Sequence, residues 1–234
     1  MLVDCGLSFK ELSARLAAIG EEPGKLDAVL ITHEHSDHVS GLPVLLRKLQ
    51  CRVPLYLSHL TAPAFTWGDR TPQVESFQAG CRFSIGELEV DSFTIPHDAI
   101  DPVAFSFRTQ GLKIASVTDL GYIPESIKYH LRGTHLLILE SNHDLEMLKV
   151  GPYPWSVKQR VMGRKGHLSN DVVSDFLRDE LDAATATLVL AHISENNNHP
   201  ELVRLAASQA LAAHTFPTRL VIAEPRKQTE VFLL

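Results

Sequence analysis

Five short apolar segments of this sequence are each followed directly by a histidine or an acidic residue. The segments are AVLIT, FTIP, KIASVT, LLIL and LVLA, and the residues that follow them are His33, His97, Asp119, Glu140 and His192. Short continuous apolar runs are typical of buried β-strands. Open α/β sheets place their ligand sites at the carboxyl ends of such strands. The pattern therefore favours an α/β protein whose functional site is built from strand ends.

The rest of the chain mixes strand-like and helix-like segments without a repeat or a linker. A capping box predicts a helix that begins at Ser8, with Glu11 three residues later. A hairpin is predicted to turn at Gln110–Gly111, and the segment EVFLL at 230–234 is predicted as a closing strand. The chain is 44% hydrophobic and 21% charged, an ordinary globular composition. We therefore expect one α/β domain over residues 1–234, with helices covering its sheets.

Cysteine content and hydropathy restrict where this protein is expected to work. The three cysteines form no CxxC pair and are odd in number, which is more typical of a reducing cytosol than of a secreted disulfide scaffold. No apolar run approaches the ~18 residues that span a bilayer, and the first residues do not resemble a signal peptide. A cytoplasmic location without membrane contact is expected. The net charge of −6 argues against a general nucleic-acid coat but allows a local basic groove.

The segment after the first of these strands is the most specific motif in the sequence. It reads H-x-H-x-D-H and contains His33, His35, Asp37 and His38. Imidazole and carboxylate groups are the ligands that a borderline divalent ion such as Zn²⁺ prefers. In an extended loop, residues i and i+2 point the same way, so His33 and His35 can hold one ion. Asp37 and His38 lie past a bend and can face a second ion.

The order of these residues resembles that of the metallo-β-lactamase fold superfamily. The H-x-H-x-D-H loop is followed by a histidine, an aspartate and a second histidine in the superfamily's order. The segments LESNHDLEML, GPYPWSVKQRV, KGHLSN and AHISENNN are similar to the YycJ/WalJ/VicX branch, described as metal-dependent 5′→3′ DNA exonucleases. The resemblance implies a four-layer αββα sandwich. Members of the family usually have a first hairpin before the segment that matches LVDCG. Either the start of this sequence was assigned too late or the chain lacks that hairpin, and a missing hairpin would leave an exposed edge in one sheet.

The resemblance also implies a dinuclear metal centre with seven protein ligands. One ion would be held by three histidines, the other by an aspartate and two histidines, and Asp119 would bridge the two. The first set is His33, His35 and His97, and the second set is Asp37, His38 and His192. Such ligands suit Zn²⁺, and also Mn²⁺ or Fe²⁺. A metal-bridging hydroxide would be the nucleophile, and Asp37 would also hold it in line for attack.

Two further side chains are implied to act at the leaving group. His167 in KGHLSN resembles the histidine of the GHS motif in the tRNA 3′-processing nucleases, which contacts the scissile phosphate. Glu140 matches the strand-end acid that partners that histidine. The resemblance therefore implies that His167, backed by Glu140, protonates the leaving oxygen.

A basic run just before His167 indicates the class of substrate. It contains Lys158, Arg160, Arg164 and Lys165, the strongest local basic run in the chain. A lone charge run is usually a solvated helix face. Its position beside the phosphate histidine favours instead a track for a nucleic-acid backbone. Asn142 in LESNHD is also predicted to contact the substrate.

The leading hypothesis is a dinuclear-metal-dependent phosphodiesterase, and specifically a 5′→3′ exonuclease that acts on DNA ends. A phosphodiesterase for RNA or cyclic nucleotides would use the same chemistry. A thioester or lactam hydrolase would leave His167 and the basic run without a role. The non-enzymatic alternative is a metal-stabilised regulatory module. A di-iron redox role is disfavoured, because it would require an acid where His35 stands.

Overall fold

The computed structural model describes residues 1–67 and 71–233. The chain divides into two compact units. Unit 1 comprises Met1–Glu87 and Ala99–Val103, and unit 2 comprises Leu88–Asp98 and Ala104–Leu234. Each unit contains a sheet flanked by helices, so the α/β class is confirmed. The single domain over residues 1–234 stays a prediction.

Unit 1 is built on a parallel sheet. The strands of this sheet are β1 (Leu2–Val3), β2 (Val29–Leu30), β3 (Leu55–Ser58) and β4 (Val74–Phe77). The unit also contains β5 (Arg82–Ile85), which is not part of this sheet. Its described α-helices are α1 (Phe9–Ala18), α2 (Ser36–Val39) and α3 (Leu42–Lys48). Strands β1 to β4 are hydrogen-bonded in that order, which places β1 at an edge. Leu12 of α1 and Leu45 of α3 share an apolar core with Leu55 of β3.

Unit 2 is built on a mixed sheet. Its described strands are β6 (Leu88–Thr94), β7 (Val103–Thr109), β8 (Leu112–Val117), β9 (Leu136–Glu140), β10 (Thr187–Ala191) and β11 (Arg219–Ile222). Its described α-helices are α4 (Glu125–Leu131), α5 (Leu145–Val150), α6 (Trp155–Val161), α7 (Asn170–Glu180) and α8 (Pro200–Leu211). The strands run in the order β11-β10-β9-β8-β7-β6, antiparallel between β7 and β8 and parallel from β8 to β11. Phe176 of α7 and Ala207 of α8 pack in one core with Leu139 of β9.

Strand register brings candidate site residues of unit 2 together. Glu140, the last residue of β9, lies opposite Ala191 of β10. His192 follows Ala191 directly, and Asp119 lies two residues past the end of the neighbouring β8. Because these strands are parallel, their carboxyl ends meet at one edge of the sheet. The edge therefore presents three of the side chains that the sequence pattern indicates.

Local sequence signals are partly confirmed. Ser8 caps α1 by accepting a hydrogen bond from the backbone of Glu11, and the β7–β8 hairpin turns at Gln110–Gly111, where both φ angles are positive. The predicted closing strand at 230–234 is wrong, since residues 230–233 form none and residue 234 lies outside the described residues. Val231 and Leu233 stay exposed, so this segment has no buried face of the kind that stabilises a strand.

The helices in the described part of the chain are all too short or too polar to cross a membrane.

Candidate active site

The histidine-rich loop of unit 1 leads from β2 into α2. His35 has an extended backbone (φ −62°, ψ 146°) and α2 begins at the next residue, so the predicted bend before Asp37 is present. The ring centroid of His33 lies 4.6 Å from that of His35 and 4.2 Å from that of His38. Three imidazoles at this spacing, with a neighbouring carboxylate, form a donor set suited to a divalent metal ion.

Asp4 orients this loop, although the sequence pattern did not single it out. Its Oδ2 accepts a hydrogen bond from Nδ1 of His38 at 2.8 Å, and its Oδ1 accepts one from the backbone N–H of Thr32 at 2.8 Å. A carboxylate on Nδ1 fixes the tautomer of a histidine and leaves Nε2 for a metal ion. Asp4 follows β1 just as the loop follows β2. The rule that strand ends carry site residues therefore applies to LVDCG and could have found it.

Replacing Asp4 with asparagine is expected to weaken metal binding about 10- to 100-fold, the usual effect of losing the carboxylate that supports a histidine ligand. The measurement is Zn²⁺ affinity by competition with a chelator. Asp27→Asn is the matched control, because Asp27 is an exposed acid of the same unit. Equal affinity in both variants would contradict the role assigned to Asp4.

The turn after β1 packs its backbone directly against the ligand loop. The N–H of Cys5 donates to the carbonyl of His38 at 2.6 Å, and the N–H of Gly41 donates to the carbonyl of Cys5 at 2.8 Å. A Cβ atom on Gly6 would lie 1.5 Å from the carbonyl oxygen of Asp37, so no larger residue fits there. These contacts fix α2 and with it two predicted metal ligands.

Glu140 is the centre of a buried polar cluster in unit 2. Its Oε2 lies 3.0 Å from Nδ1 of His167 and 3.0 Å from Nδ1 of His192. The same oxygen accepts the backbone N–H of Asp119 at 2.8 Å, and Oε1 accepts that of Leu168 at 2.6 Å. These contacts satisfy a carboxylate that has no solvent exposure. They also fix both imidazole rings with Nε2 directed away from Glu140.

Asp119 lies among the histidines of this cluster. Its Oδ1 is 3.4 Å from Nε2 of His192 and 3.9 Å from Nε2 of His97. Four residues of the cluster bring ligand atoms within 4.8 Å of one another: Asp119, Glu140, His167 and His192. Nitrogen and carboxylate oxygen atoms at this spacing also suit a divalent metal ion.

The charges of the cluster control its protonation. Burial alone would raise the pKa of Glu140, but the positive charges of His167 and His192 and their hydrogen bonds outweigh burial and lower that pKa to about 2. Burial lowers the pKa of His167, but Glu140 and Asp119 more than compensate and hold it above the ordinary value. Burial is also the main cause of the lowered pKa of His97. The cluster thus favours an ionised Glu140, a protonated His167 and a neutral His97, the form that binds metals.

Three candidate site residues have left-handed backbone angles that non-glycine residues rarely adopt. The φ angle is 58° at Asp4 in unit 1, and 64° at Asp119 and 56° at His192 in unit 2. Such angles cost on the order of 1–3 kcal/mol each, and they occur preferentially at functional sites, where the surrounding structure enforces them. Each of these residues directly follows, or nearly follows, a strand whose hydrogen bonds hold the backbone in place.

A tight turn between α6 and α7 holds His167. Its N–H donates to the carbonyl of Val161 at 2.9 Å. A Cβ atom on Gly166 would lie 2.1 Å from that same carbonyl oxygen, so the turn requires glycine. Ser169 then caps α7 by accepting the N–H of Val172. The segment KGHLSN therefore has a structural reason for each of these three residues.

Two further polar residues of unit 2 are buried. Lys158 is 8% exposed and its ammonium group donates to the carbonyl of Lys149 at 2.7 Å. This corrects the prediction that Lys158 faces a nucleic acid, because its ammonium group instead binds a carbonyl in the last turn of α5. His143, which lies between Asn142 and α5, is also buried, and burial lowers its pKa to about 4. Its ring is therefore neutral.

The other members of the basic run remain at the surface. Arg160 forms an ion pair with Asp98. The guanidinium carbon of Arg164 lies 4.3 Å from the ring centroid of Tyr122, at cation–π distance. Lys165 is exposed, and its carbonyl accepts the N–H of Asp98 at 3.1 Å. Three of the four predicted cations are therefore exposed close to His167 in the chain.

Asn142 lines a cavity of about 500 Å³ in unit 2. Its side-chain amide donates to the carbonyl of His192 at 2.9 Å. Other side chains that line the cavity belong to Tyr153, His167, His192, Asn196 and Arg226. The volume falls within the range of sites that bind small ligands. The cavity therefore offers space for a substrate group directly beside the two histidines that Glu140 orients.

Known proteins resemble this chain over most of its length. Residues 1–193 match the family model described as a β-lactamase superfamily domain. The curated relative "Exodeoxyribonuclease YycJ" of Bacillus anthracis is 37% identical over 219 residues, which are 92% of this chain and 82% of that protein. "Exodeoxyribonuclease WalJ" of Streptococcus pneumoniae is 35% identical over 217 residues, which are 91% of this chain and 80% of that protein.

A solved structure supports the same assignment at the level of the fold. The metallo-β-lactamase fold protein YhfI from Bacillus subtilis matches with a TM-score of 0.72 and 18% identity, covering 95% of this chain and 83% of that one. The resemblance to the YycJ/WalJ branch and the metallo-β-lactamase fold are thus both confirmed. This chain therefore belongs to the β-lactamase superfamily and, within it, is a metal-dependent hydrolase.

Proposed function

We propose that this protein is a 5′→3′ exonuclease that hydrolyses phosphodiester bonds at DNA ends. The observation that carries the proposal is the shared carboxylate, since Oε2 of Glu140 lies 3.0 Å from Nδ1 of both His167 and His192. One acid thereby orients a ring suited to metal binding and a ring suited to proton transfer. The exodeoxyribonuclease names of two relatives support DNA as the substrate.

We also propose that the chain holds two divalent metal ions through the ligands that the family resemblance implies. These ligands are His33, His35, Asp37, His38, His97, Asp119 and His192. The donor chemistry of each unit supports them, because imidazole and carboxylate groups suit Zn²⁺ first and Mn²⁺ or Fe²⁺ as well. When bound, such ions polarise a phosphoryl group and lower the pKa of a coordinated water.

Residues of the chain itself would carry out the proton transfers of the reaction. The side chain of Asp37 is 66% exposed and can accept a proton from the attacking water. His167 holds a proton at Nε2, because Glu140 accepts the one on Nδ1. Donating that proton to the leaving oxygen completes bond cleavage, and the charge of Glu140 stabilises the imidazolium before transfer.

Substrate contacts in unit 2 suit a nucleic-acid strand. The cavity lined by Asn142 and Tyr153 has room for a terminal nucleotide beside His167. Arg164 and Lys165 are exposed cations that precede His167, and we assign them, with Arg160, to the phosphate backbone. Lys158 is left out of this set because its ammonium group is buried.

The proposal is tested with metal-replete protein and strands of one sequence, made as DNA and as RNA and labelled at either end. We expect labelled mononucleotide to appear first from 5′-labelled DNA, and 3′-labelled DNA to shorten progressively. Chelator should stop both reactions, and added salt should weaken binding steeply because phosphate contacts displace counterions. Cleavage of RNA in preference to DNA, or no cleavage with Zn²⁺, Mn²⁺ or Fe²⁺, would contradict the proposal.

A further inference from the structure

Unit 1 contains a second cavity that borders the ligand loop. Its volume is about 730 Å³, within the range of ligand-binding sites. Glu34 and Ser36, which alternate with the predicted metal ligands, form part of its wall. Oε1 of Glu34 accepts the N–H of Ile100 at 3.0 Å, which anchors this part of the loop. The loop that is proposed to bind metal therefore forms part of the wall of this cavity.

Aromatic and aliphatic side chains make up the rest of its wall. The rings of Phe65 and Trp67 stack with centroids 5.4 Å apart and planes 4° apart. Both rings are half-buried and pack against the same apolar core that contains Leu42 and Leu46 of α3. Because this core supports them, the two rings form a flat surface in a defined position, with Val39 beside it.

Positive charge lies at the edge of this cavity. Arg47 lines it directly, and Lys48 occupies the same last turn of α3. Arg52 follows four residues later, and all three side chains are exposed, although Lys48 and Arg52 line a neighbouring cavity rather than this one. In a chain of net charge −6, three cations within six residues create a local attraction for an anion.

We propose that this cavity binds an unpaired nucleobase of the DNA strand whose phosphodiester is being cleaved. The stacked pair of Phe65 and Trp67 offers a π-face, which any base can use, and Arg47 offers a cation to the adjoining phosphate. The inference rests on the proposed nuclease function. The wall at Glu34 and Ser36 places the cavity beside the proposed metal-binding loop. Arg47 favours a nucleic acid over an apolar peptide, which would gain nothing from a cation.

The first test compares Trp67→Ala with the unchanged chain in the presence of metal. We expect KM for single-stranded DNA to rise about 5- to 150-fold, the effect of losing one base–aromatic stack. Hydrolysis of bis-p-nitrophenyl phosphate, which carries no base, should be unchanged. Trp155→Ala is the matched control, because Trp155 is a 61% exposed tryptophan of unit 2 and should leave KM unchanged. Equal KM values for Trp67→Ala and the unchanged chain would overturn the inference.

A second test measures binding without cleavage. The chain has two tryptophans, Trp67 and Trp155, so Trp155→Phe retains Trp67 as its single indole fluorophore. We expect a non-cleavable phosphorothioate DNA strand to quench that fluorescence, and a strand of abasic sites to quench it much less. If DNA quenches Trp67 but the protein cleaves no DNA, the base site stands and the nuclease proposal fails. If DNA is cleaved and Trp67 is not quenched, the nuclease proposal stands and the base site fails.

Discussion

The Asp119→Ala variant is expected to lose bound metal and more than about 100-fold in turnover. Removing a residue that only supports a ligand typically costs 10- to 100-fold, so loss of a residue that is proposed to bridge two ions should exceed that range. Asp119 has a special position, because Oδ1 lies 3.4 Å from Nε2 of His192 and its backbone N–H binds Glu140. The measurement is metal content per chain by mass spectrometry, together with the rate of phosphodiester hydrolysis.

A second buried acid of the same unit provides the control for that result. Asp91 is 9% exposed and forms an ion pair with Arg108, and it is not among the residues proposed to bind metal. Asp91→Ala should therefore lower the free energy of unfolding and leave metal content unchanged. A full complement of metal in Asp119→Ala, or equal metal loss in both variants, would refute the ligand role of Asp119.

The class of fold could be predicted from the sequence because strand ends carry their own signal. The apolar runs before Asp119, Glu140 and His192 correspond to β8, β9 and β10, and parallel pairing brings their ends to one edge. That these three residues lie close together can be predicted from the pairing of the strands alone, without knowledge of other tertiary contacts. The H-x-H-x-D-H loop after β2 was recognisable for a simpler reason, because its residues lie next to one another in the chain.

Features that depend on distant contacts could not be predicted in the same way. The strand-end rule marks Asp4 as a candidate, but Asp4 acts through His38, 34 residues away, and its position in the sequence does not identify that partner. Lys158 looked like a surface cation, but the end of α5 lies where its ammonium group can bind the carbonyl of Lys149. Burial of a charged side chain of this kind depends on a hydrogen bond between two helices, which hydrophobic periodicity does not encode.

The role predicted for His167 came from the family resemblance and not from the periodicity of the sequence. Nothing in the local pattern separates His167 from the other histidines of the chain, because a glycine-rich turn before a helix is common. The resemblance paired it with Glu140, 27 residues earlier, and the structure gives that pair a distance of 3.0 Å. The role of the pair in catalysis stays a prediction.

The His167→Ala variant is expected to retain its metal and to lose about 10²- to 10⁴-fold in turnover on DNA, the usual contribution of a general acid. The loss should be much smaller for bis-p-nitrophenyl phosphate, because p-nitrophenolate is a stable leaving group that needs no proton. The measurement is the ratio of kcat values for the two substrates, with metal content determined on the same samples.

His214→Ala tests whether any half-buried histidine of unit 2 would give the same result. Nε2 of His214 lies 2.6 Å from the carbonyl of Leu177, so its loss should reduce stability and leave the ratio of kcat values unchanged. An equal loss of turnover on both substrates in His167→Ala would refute proton donation. Loss of metal from that variant would instead make His167 a ligand, consistent with its place beside Asp119 and His192 in the four-residue donor group. The two outcomes differ because a general acid acts on the leaving oxygen, whereas a ligand acts on every substrate alike.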